Sequence, residues 1–261
     1  MVLRGSSAVF AIGVLLLCGL FAPGQAVAAV RTNAAPTNHP WVSSYWQVTA
    51  DGTVYGPGPF GLANSFHLNE PIVGMASTPD GGGLWLVAAD GGVFSFGDAT
   101  FHGSEGGVHL DQPIVGMAST PDGDGYWLVA ADGGVFSLGD ATFHGSEGGV
   151  HLNASIVGIT PTSTGAGYWL DGSDGGVFTF GDAGYFGSSP KAPGSIVGGV
   201  MPTPDQQGYW LIPVAIGQEC LSFGDGECIP PASPTQPPGQ SPVALPQAVA
   251  AVAVSGYQSR S

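Results

Sequence analysis

The chain has 261 residues, room for one or two ordinary domains, and combines 45 Gly and 22 Pro with 10% aromatic and only 9% charged residues. Gly and Pro at this level signal disorder only where aromatic and β-branched residues are scarce. With 6 Trp and 43% hydrophobic residues, many short strands joined by Gly-rich turns fit better. Four basic against 19 acidic residues, a formal charge of −15, leave nothing to neutralise phosphate, so neither nucleic acid nor an anionic membrane is expected as a partner.

The N-terminus reads as a secretory signal peptide over residues 1–28. Arg4 supplies the positive region, Ala8 to Ala22 the apolar run, and Ala26-Val27-Ala28 the small-x-small cleavage site. The apolar run is too short for a membrane span, so the mature protein is expected to be secreted or held in the cell envelope, with no stable span after cleavage. A short leader, residues 29–42, follows.

From residue 43 to 229 the chain repeats itself. Pro71 to Gln112 and Pro113 to Ala154 agree at 37 of 42 positions. Ser155 to Gly194 keeps Ile156-Val157-Gly158, Tyr168-Trp169-Leu170 and Asp174-Gly175-Gly176-Val177-Phe178. A fourth copy from Ser195 keeps Gly208-Tyr209-Trp210-Leu211, and Tyr45 to Glu70 is the back part of an earlier unit. Each full unit has four runs bounded by turn residues, in the second copy Ile114 to Ser119, Tyr126 to Ala131, Gly134 to Leu138 and Thr142 to Gly145. Asp132-Gly133 suits a tight hairpin turn, which pairs the second and third runs antiparallel.

No segment beyond the signal peptide has a helical apolar period, so the fold class is all-β. Tandem four-stranded units of about 42 residues are the period of β-propeller blades. Trp127 and Val129 point to one face and Tyr126 and Leu128 to the other, as in a sheet packed on both sides. The recurring Trp46, Trp85, Trp127, Trp169 and Trp210 are expected as core between blades. The hairpin occurs five times and the Ile-Val-Gly run four times, which predicts five blades, the first lacking its opening strand. The apolar run Ala248 to Val254, in a tail of residues 247–261 beyond a Pro-rich linker at 230–246, is expected to supply it.

The run Gly125-Tyr126-Trp127-Leu128-Val129-Ala130-Ala131-Asp132-Gly133-Gly134-Val135-Phe136-Ser137-Leu138-Gly139-Asp140-Ala141, followed by Phe143-His144-Gly145-Ser146, resembles the repeats of secreted actinobacterial proteins. The resemblance covers about Tyr45 to Asp225. It implies export and a propeller-like fold; it implies no activity, because in those proteins the repeat often accompanies a separate enzyme domain.

The polar residues recur with the repeat, whereas catalysis needs unlike groups converging on one place, so no catalytic residues are assigned. His67, His109 and His151, 42 residues apart, sit on the connections between units. With Asp98, Asp140 and Asp182 they are the candidate ligand-binding positions, and turn capping is the competing reading for the Asp series. Pro121-Asp122-Gly123-Asp124-Gly125 has some likeness to a calcium loop but lacks its remaining acidic ligands. No cofactor or metal is assigned. Cys220 and Cys228, the two cysteines left after signal cleavage, are expected to form a local disulfide.

The leading expectation is a binding module for carbohydrate or another surface polymer. The alternatives are a scaffold for envelope proteins and an extracellular hydrolase using residues that differ between copies, such as Glu70, Asp111, Asp171 and Lys191. A fusion of residues 1–30 to a reporter should be exported and yield a mature terminus at Ala29 or Val30 on N-terminal sequencing. Retention of Met1 in a membrane-embedded product would contradict this.

Overall fold

The computed structural model describes residues 28–31, 45–55, 68–190, 197–213 and 221–226. The N-terminal hydrophobic run, His67, Lys191, Cys220, Cys228, the Pro-rich stretch and the tail lie outside them. No helix occurs among the described residues, and so none long and apolar enough to cross a membrane.

Fifteen strands form five three-stranded antiparallel sheets in chain order. Sheet 1 holds β1 (Ala28–Arg31), β2 (Tyr45–Val48) and β3 (Val54–Tyr55); sheet 2 holds β4 (Ile72–Ser77), β5 (Gly83–Ala88) and β6 (Val93–Gly97). Sheet 3 is β7 (Ile114–Ser119), β8 (Gly125–Ala130) and β9 (Val135–Gly139), and sheet 4 is β10 (Ile156–Pro161), β11 (Gly167–Gly172) and β12 (Val177–Gly181). Sheet 5 is β13 (Val197–Pro202), β14 (Gly208–Pro213) and β15 (Leu221–Gly224). Within each sheet the middle strand pairs with both neighbours, as Met117↔Leu128 and Leu128↔Phe136 show in sheet 3. Across the Asp132-Gly133 turn, Asp132 Oδ1 accepts the Gly134 amide at 2.9 Å, the hydrogen bond that makes Asp a turn former.

The sheets stack in sequence, first strand against first strand from β1 to β13, the blade order of a β-propeller. The central strands β5, β8 and β11 are buried at every residue. Alternation sends their side chains into two different layers: Tyr126 and Leu128 pack backward with Trp85 and Val87 of sheet 2, while Trp127 and Val129 pack forward with Ile156 and Tyr168 of sheet 4. The core is therefore a series of apolar layers between neighbouring sheets. Trp46, Trp85, Trp127 and Trp169 are buried in them, whereas Trp210 in sheet 5 is only half-buried.

The glycine of the Ile-Val-Gly run lies at a close approach between sheets. A Cβ on Gly74 would lie 2.8 Å from Val87 Cγ1 and 3.3 Å from the Cα of Gly116 in the next sheet. The same point carries a bulge, since the register shifts between Ile72 and Gly74 and again between Ile114 and Gly116. Bulges of this kind bend a strand and free its amides from the ladder.

Two expectations change. The fourth run, Thr142 to Gly145, is not a strand, so the sheets have three strands rather than four. Its backbone groups bond to side chains instead: Trp127 Nε1 donates to Thr142 O at 2.8 Å, and Tyr168 Oη of sheet 4 donates to Gly145 O at 2.5 Å. The run crosses from one sheet to the next. Second, sheet 1 gains a strand that the repeat pattern did not predict, Ala28–Arg31, which pairs with β2 from Ala28↔Val48 to Arg31↔Tyr45; Ala248 to Val254 lie outside the described residues. That segment overlaps the expected end of the signal peptide, and cleavage before Ala29 or Val30 would remove one or two of the four residues of β1.

Replacing Trp127 by Ala empties a fully buried site between sheets 3 and 4 and should cost about 3–5 kcal/mol, measured by denaturant unfolding. An unchanged midpoint would contradict the layered core.

Candidate functional site

The crossing segments combine exposure with a fixed backbone. In each, a carbonyl is held from behind by the unit's own Trp, and the next two residues but one are held from ahead by the following unit's Tyr. Trp85 Nε1 donates to Thr100 O at 2.7 Å, His102 N donates to Tyr126 Oη at 3.1 Å, and Tyr126 Oη donates to Gly103 O at 2.6 Å. Trp127, His144, Tyr168 and Gly145 repeat the pattern. In sheet 4 Trp169 Nε1 donates to Gly184 O at 2.7 Å, Phe186 N donates to Tyr209 Oη at 3.4 Å, and Tyr209 Oη donates to Gly187 O. Burial raises all three tyrosines above the ordinary phenol range, so they act as neutral donors.

The histidines that precede these glycines face inward. The His102 and His144 rings each meet the next Tyr edge-on with centroids 5.6 Å apart. Gly145 has φ +135°, and a Cβ there would sit 2.5 Å from the Phe180 ring, so only Gly lets the segment turn over sheet 4.

Between each pair of pinned residues stands one aromatic side chain that is more than half exposed. Phe101, Phe143 and Tyr185 are 56%, 56% and 59% exposed. They occupy the same place in successive units, 42 residues apart. Sequence reasoning passed over them because every aromatic in a two-faced strand pattern looks like core. The signal that could have found them is that they follow the Gly-Asp turn, outside the alternating runs.

The expected site residues divide differently. His109 and His151 are exposed on successive connections, and His67 is outside the described residues. Asp98, Asp140 and Asp182 accept hydrogen bonds from Thr78, Thr120 and Thr162 at 3.3, 3.3 and 2.8 Å, tying the third-run turn to the turn before the middle strand. Glu70 and Asp111 are exposed, whereas Asp171 is fully buried.

Among the described residues one group of carboxylates is close enough to hold a metal, Asp122, Asp124 and Asp140, with oxygens within 4.8 Å of one another. All three are exposed, and the group contains none of the histidines. Partial desolvation and then the Asp122 charge push Asp140 up, while the Thr120 hydroxyl and the Asp124 amide hold Asp122 down. Gly82 stands at the place of Asp124 in the first full copy and Ala166 in the third, so the cluster belongs to one unit. Calcium takes six to eight oxygens, and within this cluster Asp122 and Asp140 already serve as turn acceptors.

No family model matches the chain, and no curated protein matches it. Among solved structures it is similar to the β-propeller domain of Cps50 (Swd1) from Myceliophteria thermophila, at 12% identity and a TM-score of 0.48. The match covers 69% of this chain and 62% of that one, so the chain spans less than two thirds of that structure's length.

Tyr168→Phe deletes the hydroxyl that both Gly145 O and His144 N use. A loss of about 1–3 kcal/mol in unfolding free energy is expected, with faster amide exchange at His144. No change in either would mean that the crossing segment is held some other way.

Proposed function

We propose that the chain is a multivalent binding module for a neutral polysaccharide, with Phe101, Phe143 and Tyr185 as equivalent stacking platforms. The observation that carries this reading is the set of three exposed aromatic rings on backbones pinned from both sides. A pyranose presents a C–H face to an aromatic ring and hydroxyls to carboxylates, and Asp98, Asp140 and Asp182 are exposed three residues before each ring. Holding the platforms rigid lowers the entropy lost on binding. Their repetition turns weak single contacts into useful avidity on a polymer that carries the same face many times. The acidic chain disfavours anionic polymers. A secreted or envelope location accords with this ligand.

A protein partner is the second reading, favoured by Val108 and Val150, which are 54% and 56% exposed on the same connections. The chain would then be a scaffold that reads a repeated or extended partner surface.

Pull-down on insoluble cellulose, chitin and mixed β-glucan separates the two. Retention on at least one is expected, falling about tenfold or more in a Phe101→Ala, Phe143→Ala, Tyr185→Ala variant whose thermal unfolding is unchanged. Absence of retention on every neutral polysaccharide overturns the carbohydrate reading and leaves the protein partner.

A further inference from the structure

Asp171 breaks the repeat in a place where polarity is costly. It lies on the middle strand of sheet 4 at the position of Val87 and Val129, which are fully buried in the layers facing the next sheet. Asp171 is likewise fully buried, and neither carboxylate oxygen has a hydrogen-bond partner. The layer it faces holds Trp169, Val177, Val200, Tyr209 and Leu211. A Cβ on Gly158 would lie 2.9 Å from Asp171 Oδ2, and in the first strand of sheet 5 a second glycine, Gly199, follows the retained Ile196-Val197-Gly198 run. A Cβ at Gly199 would meet no heavy atom within 4 Å.

We propose that Asp171 is a proton-controlled latch between sheets 4 and 5, seated in the apolar layer when its carboxyl is protonated and opening the junction when it ionises. Among the described residues nothing facing it can substitute for the proton. The five strands β10 to β14 that border it carry Tyr168 and Tyr209 as their only other titratable groups. Both hydroxyls are committed to the crossing segments. Asp174, at the hairpin beyond Gly172, is occupied by the Gly176 amide at 2.9 Å. Burial pushes Asp171 up to about 7.

The direction follows from linkage. An opened junction exposes Asp171 at an ordinary carboxylate value of 3.8, whereas the closed junction holds its proton up to about 7. Opening is therefore favoured as pH rises, by about tenfold per pH unit between those two values, and levels off above the higher one. The latch is tightest in acid.

Hydrogen–deuterium exchange with mass spectrometry on the full chain reads this. After correction for intrinsic exchange, opening at residues 197–213 should rise about 50-fold from roughly pH 5 to pH 7, with residues 114–130 as the internal reference. Asp171→Val, which restores the residue of the two preceding copies, and Asp171→Asn should both flatten the profile. If Asp171→Asn does not fold, the valine variant decides alone. A flat wild-type profile, no protection at 197–213 at any pH, or a slope that survives in the variants overturns the latch.

Discussion

A three-stranded sheet with a fully buried middle strand cannot exist alone, and this constraint organises the molecule. β5, β8 and β11 hide every residue, yet each belongs to a sheet only three strands wide. Burial on both faces comes only from a sheet before and a sheet behind, so the unit of stability is the interface between units. The Trp-Leu and Tyr-Leu pairs in each layer are the dominant apolar contribution. Burying a large side chain stabilises by roughly 1.5–3 kcal/mol, and a single repeat has no partner against which to realise it. Glycines at Gly74, Gly116 and Gly158 let the first strands come together. Ser119 Oγ donating to Ser77 O adds a polar tie between adjacent first strands.

The same dependence on neighbours explains the crossing segments. Backbone groups at Thr142, His144 and Gly145 must be satisfied somewhere, and the partners available are an indole from the unit behind and a phenol from the unit ahead. A fourth strand would have spent those groups on β9 and left Trp127 and Tyr168 with buried, unpaired polar atoms. Bonding to side chains solves both problems at once and leaves the intervening residue facing outward. An aromatic ring is thus displayed by a device whose first purpose is structural, and repetition of the device repeats the display.

Departures from the repeat carry the remaining information. Leu84 stands where later units have the clasping Tyr126, Tyr168 and Tyr209. Trp210 is less covered than its counterparts. Asp171 places an ionisable group in a layer that is otherwise apolar. Regularity builds the frame, and the irregular positions make one junction chemically distinct from the others.

Local rules were enough to read the all-β class, the hairpins at Asp90, Asp132 and Asp174, and the two-faced middle strands. Strand alternation and Asp-Gly turn chemistry act between residues close in sequence, so the sequence by itself determined them. It also determined the spacing of the tryptophans, because each Trp lies within one such strand. The fate of Thr142 to Gly145, the exposure of Phe101, Phe143 and Tyr185, and the use of Ala28–Arg31 as the first strand were decided only by the tertiary structure. Their backbone partners sit in another unit or across a long connection, as Gly145 and Tyr168 do at a separation of 23 residues. Composition does not say which of two chemically suitable partners is within reach. That depends on how neighbouring sheets stack, and the stacking exists only once the layers between them are buried.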